Sequence, residues 1–514
     1  MLLSGQVLCY DAHMLGNRRL AHAMAATERS TPVTRAVPER IPSRELDSPQ
    51  TQGSAPPTLS TTGPSTKPSI FVAGSLALDL SCNYQPTNPS QVHPTPQTSN
   101  PAEITQSLGG VGSNIARAAH LLVAEVRLCS AVGDDIAGQT AVRLLGEASN
   151  PGLDTSGIAI VKGAKTAQYV AFNDARKDLV MSMADMRLFE DLAMEPKSTV
   201  RRETENSRTA GARNIAAALE SIWLPQLKEA RPKCLVLDAN WAPSHLSRWL
   251  EAGRQCGAHI TYEPVSVEKS TRIFHLPSPS SSSSRQPTST SQNTKPLTLP
   301  TYPNPLINLS TPNAAELAAL HSHAQSLGYF DRQDWWHIID AFGLPSTGSR
   351  VALVQLTSSE LVDRGVPQQA LQLLPFIPCL CVTLGAEGVL VAQILSQSDE
   401  RLRRAEYVPY ILGRNGRELS DEDGRAVGGV YMRLFPPPKA FGVGEGKGEV
   451  VSVNGAGDTF TGALVAGLAQ DGMKARGGKV EVEDAIDFAQ KAAGLTLRSE
   501  ESVSPHLSRL RDTT

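Results

Sequence analysis

Short β-branched runs alternate with helix-patterned segments along most of this chain, and that alternation limits the fold more than any other feature. Ile70–Ala73, Val126–Ser130, Cys234–Asp238, His259–Tyr262, Ile307–Leu309 and Cys379–Thr383 are brief and largely apolar, the pattern of strands buried on both faces. Ile115–Ala124, Ala212–Leu224, Pro312–Leu320 and Glu483–Leu497 carry helical periodicity. Strand and helix in alternation predict an α/β sandwich: a mostly parallel sheet covered by helices on both faces. One place departs from this. Gln168–Phe172 and Leu179–Met183 alternate in polarity and are joined by the polar turn Asn173–Asp178, which predicts a hairpin serving as a small lid beside the main sheet.

Composition narrows the class. Of 514 residues, 40% are hydrophobic and 19% charged, a globular balance. A net charge of -3 without a Lys/Arg stripe argues against a nucleic-acid partner. No run of about 18 apolar residues predicts a membrane span. The seven cysteines form no CxxC pair, and Cys379 alternates with Cys381 along an apolar run, so reduced structural thiols in a cytoplasmic protein are expected. The first twenty residues are somewhat Arg-rich, which keeps a mitochondrial alternative open. Ser30 to Ser69 is rich in Pro, Ser and Thr and reads as a disordered leader, and the Ser-rich stretch Pro277 to Lys295 reads as a low-complexity insertion looping out of the folded domain. Glu195 to Ala210, Gly413 to Gly429 and Gly442 to Gly448 are further polar or Gly-rich breaks. The expected organisation is a leader or linker over 1–68, one folded domain over 69–506 with an insertion near 277–300, and a tail over 507–514.

The sharpest chemical signal is Ser452-Val453-Asn454-Gly455-Ala456-Gly457-Asp458-Thr459-Phe460. A predicted strand, Val450 to Val453, meets small residues and then a helix whose buried face is marked by Phe460, Leu464 and Leu468. Gly455, Ala456 and Gly457 would present backbone N–H groups at the helix N-terminus, an anion hole for a phosphoryl group gaining charge. Asp458, in the first turn, can take a proton from an attacking hydroxyl. A Gly-rich turn with an Asp cap and no catalysis would look the same. A second element, Gly109-Gly110-Val111-Gly112-Ser113-Asn114, enters another helix; its glycines admit a ligand close to the backbone and Asn114 can donate to and accept from sugar hydroxyls. No GxxxxGK[ST] phosphate loop occurs.

Together these elements resemble the two signatures of the ribokinase-like (PfkB) carbohydrate kinases. Gly74-Ser75-Leu76-Ala77-Leu78-Asp79 resembles the family's first strand and sugar-binding Asp, and Ala131-Val132-Gly133-Asp134-Asp135-Ile136-Ala137-Gly138 the segment after its second strand. Thr311-Pro312-Asn313-Ala314-Ala315-Glu316 resembles the N-x-x-E element, and Val382-Thr383-Leu384-Gly385-Ala386-Glu387-Gly388 the nucleotide-site strand and loop. All stand in the family's order. Thr166-Ala167-Gln168-Tyr169 with Ala184-Asp185-Met186, Glu263-Pro264-Val265-Ser266-Val267-Glu268-Lys269, and Lys491 to Pro505 look like pseudouridine kinases, above all the kinase half of fungal two-domain pseudouridine-catabolising proteins. In those a pseudouridine-5′-phosphate glycosidase precedes the kinase; residues 1–68 do not look like it, so the chain is expected to be a kinase half with part of a linker, or a truncated gene model.

The resemblance implies a ribokinase-like α/β/α sandwich with a β lid, and transfer of phosphate from ATP, with Mg²⁺, to the 5′-hydroxyl of pseudouridine. It implies Asp458 as base; Asp79, Gly109, Gly110, Asn114, Thr166 and Tyr169 on the acceptor substrate; Asn240, Lys269, Thr383, Gly385 and Gly388 on the nucleotide; and Asn313 and Glu316 near the metal, through water. Asn313 and Glu316 lie one helical turn apart, so both can face one site. Ser452-Val453 replaces the Asp-Thr that the family links to a monovalent cation, so that cation stays open. A glycosidase acting alongside and a homodimer are further implied partners. The alternatives are another acceptor such as ribose, adenosine or a hexose, and a catalytically silent regulatory protein on the same fold. His321 and His323, two residues apart, do not face together on a helix, and Trp335 and Trp336 are expected to pack.

Overall fold

The computed structural model describes residues 67–88, 90–122, 125–148, 153–190, 215–277, 297–344, 347–416, 426–438, 450–469 and 482–513. The leader expected through residue 68 therefore falls almost wholly outside the described residues, as do Glu195 to Ala210, Gly442 to Gly448, and most of Pro277 to Lys295.

Fourteen strands are described: β1 (Ile70–Ala73), β2 (Ala77–Tyr84), β3 (Ala102–Gly109), β4 (Val126–Gly133), β5 (Asp154–Val161), β6 (Ala167–Asn173), β7 (Leu179–Asp185), β8 (Cys234–Asp238), β9 (His259–Glu263), β10 (Leu309–Ser310), β11 (Cys379–Thr383), β12 (Val389–Ser396), β13 (Ile411–Arg414) and β14 (Val427–Phe435). The helices that frame the site are α1 (Val111–Leu122), α2 (Ile136–Ala148), α3 (Pro243–Cys256), α4 (Ala314–Ser326), α5 (Ala456–Ala469) and α6 (Val482–Thr496).

Ten strands make the main sheet in the order β13-β14-β12-β11-β10-β9-β8-β1-β4-β5. From β5 through to β11 the pairings are parallel, and β12, β14 and β13 close one end antiparallel. The apolar runs are continuous because their residues alternate between two cores. Phe71, Leu235 and Leu380 face one core, lined by Leu246 and Trp249 of α3 and Leu317 of α4. Ile70, Val236 and Cys381 face the other, lined by Ile115 of α1, Leu145 of α2, Leu464 of α5 and Ile486 of α6. This is the expected three-layer α/β sandwich. Among the described residues no helix is long and apolar enough to cross a membrane, and Cys82, Cys129, Cys234, Cys256, Cys379 and Cys381 are free thiols.

The chain leaves β1 in two directions: β4 and β5 lie on one side, β8 to β11 on the other. In a doubly wound sheet the cleft at the carboxyl ends of the strands beside such a reversal is where ligands bind. At β1 the chain also steps out of the main sheet into a second one, of order β3-β2-β6-β7. The expected hairpin is present as β6 and β7, but it is half of a four-stranded lid. Strands β2 and β3 were not legible, since β3 is mostly exposed and lacks alternation.

Two expected strands are corrected. Over Ile307–Leu309 only Leu309 enters the regular ladder, in β10, because the Asn308 side-chain oxygen takes the Ile260 amide at 2.8 Å where a backbone carbonyl would stand. Val450 to Val453 is not a strand: the amides of Val451 and Ser452 both donate to the Leu497 carbonyl beyond α6, at 2.8 and 3.3 Å, and the valines lie exposed. An apolar triplet reads as a strand, but its backbone partner here is a helix end.

The contact that sets the site is α5 against α1. A Cβ on Gly462 would stand 2.6 Å from the Ile115 carbonyl and 2.9 Å from the Ala118 methyl, so the two backbones approach only because that residue has no side chain. Gly462→Val should therefore force the helices apart and destabilise the protein by about 1–3 kcal/mol, the usual penalty of overpacking. Chemical denaturation checks this; an unchanged midpoint would show that the contact is slack.

Candidate active site

The predicted Gly-Ala-Gly turn stands where expected, at the head of α5. Gly455 has φ +72°, and a Cβ there would lie 1.9 Å from the Ser502 carbonyl, so only glycine fits. The neighbouring Glu501 is reached by the buried Arg117 of α1 at 3.4 Å, which holds this wall against α1. The first helical bond runs from the Thr459 amide to the Gly455 carbonyl, 2.8 Å, so the amides of Ala456, Gly457 and Asp458 precede the helical ladder. Around Gly457 a Cβ would meet nothing within 4 Å. The turn is thus walled on the Gly455 side and open at Gly457, which suits a phosphoryl group docking on the helix start.

Asp458 keeps a solvent-accessible edge yet is enclosed enough that burial pushes its carboxyl up to about 7. A hydrogen bond from Asn114 opposes the shift, and the carboxylates of Asp238, Asp79 and Glu316 add to it. Asn114 Nδ2 donates to Asp458 Oδ2 at 2.9 Å across 344 residues of sequence, while the buried Asn114 Oδ1 has no hydrogen-bond partner. One amide therefore holds the Asp458 carboxylate and presents a free acceptor beside it.

Asp79, on β2, is pushed up to about 6 by burial. It sits in register with Tyr169 of β6 and Ser107 of β3, so the three share one face of the lid. Gly109 makes room for it: a Cβ there would lie 2.1 Å from the Asp79 carboxyl. Gly110 has φ +91°, and a Cβ would meet the Ser75 carbonyl at 2.6 Å.

What holds this glycine loop is Asp238, at the end of β8, which sequence reasoning missed. Its Oδ2 accepts from the Ser75 amide (2.7 Å), the Ser75 hydroxyl (2.9 Å) and the Gly112 amide (3.0 Å). Asn240 Nδ2 donates to the Ser75 hydroxyl at 2.9 Å, and Lys269 Nζ donates to Asn240 Oδ1 at 2.7 Å. Burial, then Arg272, lowers the Lys269 ammonium, with Asp238 opposing. Asn240 and Lys269 thus stand together on the Asp238 hub. The available signal was a carboxylate closing an apolar strand at the ligand-binding edge.

Other expected site residues have structural partners. Thr166 precedes β6; its hydroxyl donates to Asp135 Oδ1 at 2.6 Å and accepts from the Gly133 amide at 2.9 Å. It is buried and locks the segment after β4, while Tyr169 lies on the Asp79 face of the lid. Asn313 and Glu316 form a capping box: Asn313 Oδ1 accepts from the Ala315 and Glu316 amides at 2.9 and 3.0 Å, and Glu316 Oε2 accepts from the Asn313 amide at 2.9 Å. The Asn313 side-chain oxygen faces the helix start. Glu316 still acts on Asp458. Thr383 ends β11 and donates its amide to the Pro312 carbonyl at 2.9 Å, which sets it beside Asn313. Gly385 and Gly388 have φ +59° and +94° in the turn that follows.

His321 and His323 face different partners, Gln372 and His275. Trp335 packs in the core as expected, whereas Trp336 is exposed. Among the described residues no group of three or more ligating side chains forms a metal site. The donor set nonetheless fits magnesium carried on a polyphosphate. Asp79, Asp238 and Glu316 all bear on Asp458, no basic side chain stands among its main influences, and magnesium keeps much of its water.

The sequence pattern of the pfkB family carbohydrate kinases matches residues 67–248 and 442–508. The chain belongs to the pfkB family. The two matched blocks of this pfkB chain hold Asp79, Asn114, Asp238 and the Asp458 turn; Glu263, Lys269, Asn313 and Thr383 lie between them. The pseudouridine-metabolizing bifunctional protein of Schizosaccharomyces pombe is 26% identical over 418 residues, 80% of this chain and 44% of that protein. The Escherichia coli pseudouridine kinase is 30% identical over 212 residues, 40% of this chain and 54% of that one. The chain thus spans about half the length of these two curated relatives. A solved ribokinase from Arabidopsis thaliana has a TM-score of 0.48 at 14% identity, covering 87% of this chain and 98% of that chain.

Asp238→Ala should orphan the buried Ser75 and Gly112 amides together. Unpaired buried donors cost about 1–3 kcal/mol each, so a loss of about 2–6 kcal/mol is expected. A denaturation midpoint within experimental scatter of the wild type would remove Asp238 as the hub.

Proposed function

We propose that this protein transfers the γ-phosphate of ATP to the 5′-hydroxyl of pseudouridine, giving ADP and pseudouridine 5′-phosphate. The observation that carries the reading is the pairing at the head of α5: a carboxylate raised to about 7 beside an open, amide-lined turn, held by an asparagine from the glycine loop that faces the lid.

The acceptor hydroxyl would lie between Asn114 Oδ1 and Asp458, with other ribose hydroxyls on Asp79. Asp458 takes the hydroxyl proton as the oxygen bonds to the γ-phosphorus and the bond to the ADP oxygen breaks. Charge gathering on the transferred phosphoryl oxygens meets the amides of Ala456, Gly457 and Asp458. Magnesium, when bound with ATP, would neutralise part of the phosphate charge, and Glu316 is the carboxylate placed to hold its water. The β2-β3-β6-β7 lid covers the ribose and excludes water that would otherwise take the phosphate. Thr383, Gly385 and Gly388 are proposed to cradle the nucleotide.

The names of the two curated relatives support pseudouridine as acceptor, and the bifunctional one supports action alongside a second pseudouridine-metabolizing activity; we propose that this is the pseudouridine-5′-phosphate glycosidase that the resemblance implies. Ile104, Met181 and Met183 lie exposed on the lid, which supports a homodimer.

An ATP-dependent assay across pseudouridine, uridine, adenosine and ribose tests the acceptor. Pseudouridine should have the highest kcat/KM; equal or better use of adenosine or ribose would sink the narrow reading and leave the family intact.

The base is tested separately. A carboxylate raised to about 7 works only when ionised, so kcat/KM should climb as pH rises through about 7 and be lost below it. Asn114→Leu removes the hydrogen bond that lowers Asp458, so its acid limb should move to higher pH. Asp458→Asn should fold normally and lose about 10²–10⁴-fold in turnover. Retention of more than about a tenth would leave the turn an anion cradle only and favour the regulatory alternative.

A further inference from the structure

Strand β9 ends in Glu263, a buried carboxyl with no part in the chemistry above. Its Oε2 accepts from the Thr311 hydroxyl at 2.7 Å and the Thr461 hydroxyl at 2.9 Å, and the two hydroxyls stand 3.0 Å apart. The three groups close a triangle drawn from three elements. Thr461 lies on α5, one turn past Asp458. Thr311 lies two residues before Asn313 at the entrance to α4. Glu263 adds a fourth tie through its backbone, since its carbonyl accepts from the Ala239 amide at 2.9 Å, between Asp238 and Asn240.

This is an unfavourable way to fill a core. The main influences on Glu263 after burial itself are the carboxylates of Glu316 and Asp458 and the two threonine hydroxyls; no cation is among them, and its carboxyl is raised well above its usual range. A buried carboxyl without a cation is costly, and an apolar side chain of the same volume there is often neutral or stabilising. Two residues on, Val265 has φ +67°, a conformation β-branched residues rarely adopt, and its amide points to Glu263 Oε1 at 3.4 Å. Local structure that departs from what stability favours collects at functional sites.

The geometry points to Glu263 as a positioning residue for phosphoryl transfer: it ties α5, which carries the anion hole and Asp458, to the segment that carries Glu316 and to the Asp238 hub. Glu263 touches no reacting atom. It fixes the distance between the base and the phosphate-side carboxylate, and a displacement of about 1 Å between such groups can lower a rate about a hundredfold. The inference rests on Asp458 as the base.

Three variants test it, with turnover measured on whichever acceptor the wild type uses best. Glu263→Gln keeps an oxygen for both threonines and should keep kcat within about threefold, whereas Glu263→Met should lose about 10–100-fold in kcat. In Glu263→Met both KM values should stay within about threefold and the melting temperature should hold or rise. A kcat near wild type in Glu263→Met, or a loss that appears only with a lowered melting temperature, overturns the inference. Should Glu263→Met fail to fold, Thr461→Val cuts one arm of the triangle and should lower kcat alone by about 3–10-fold; full turnover there also overturns it. Hydrogen exchange on the free protein needs no substrate. Glu263→Met should speed exchange in 456–462 and 313–317 and leave the central strands unchanged, and a wild-type pattern there overturns the tie. Wild-type protein inactive on every acceptor, with the exchange change present, would instead refute the kinase reading and leave the tie standing.

Discussion

The close approach of α1 and α5 at Gly462 is the contact on which the site depends. Each helix begins at a glycine-rich turn, one facing the lid and the other presenting the unladdered amides of Ala456, Gly457 and Asp458. Only when the two helices touch backbone to backbone do their first turns meet, so that Asn114 reaches Asp458 across 344 residues. Neither turn is a site by itself. A glycine-rich helix start is common, and an aspartate in a first turn is common; the pair is distinctive because one amide both restrains the Asp458 carboxylate and leaves an acceptor oxygen beside it.

The second organising constraint is an excess of acid. Asp79, Asp238 and Glu316 all raise Asp458, while Glu316 and Asp458 raise Glu263. The parallel sheet causes this crowding. Strands β8, β9 and β11 end on one edge, and two of them end in a carboxylate, Asp238 and Glu263. These two face amides and hydroxyls, not cations, so each orders backbone around the cleft. Burial first, and this crowding after it, hold the Asp458 carboxyl up at about 7, and the crowding leaves the cleft suited to a cation.

Much of the scaffold was legible because strands buried on both faces must be apolar throughout. Cys234–Asp238 and Cys379–Thr383 have the bounds the pattern predicts. The reading erred where local pattern and long-range partner disagree. Val450 to Val453 has the composition of a strand, but its amides bond to the end of α6. The lid reads as one hairpin because β2 and β3 are half-exposed or exposed and gain their order from pairing, β2 with β6 and β3 with β2. Thr166 and Asn313 match expected motif positions, yet the bonds they make hold turns and a helix start.

The sequence by itself determined the layered α/β architecture, the glycine-rich turns that open two helices, and the aspartate at the head of α5. These follow from side-chain periodicity and from steric rules that act within a few residues. The tertiary structure decided which carboxylates meet, that Asn114 holds Asp458, and that Asp238 and Glu263 each gather several buried hydrogen bonds. Hydrogen bonding and burial between residues far apart in the chain set those properties. A residue's neighbours in space, not its neighbours in sequence, determine whether its charge is stabilised, raised or tied down.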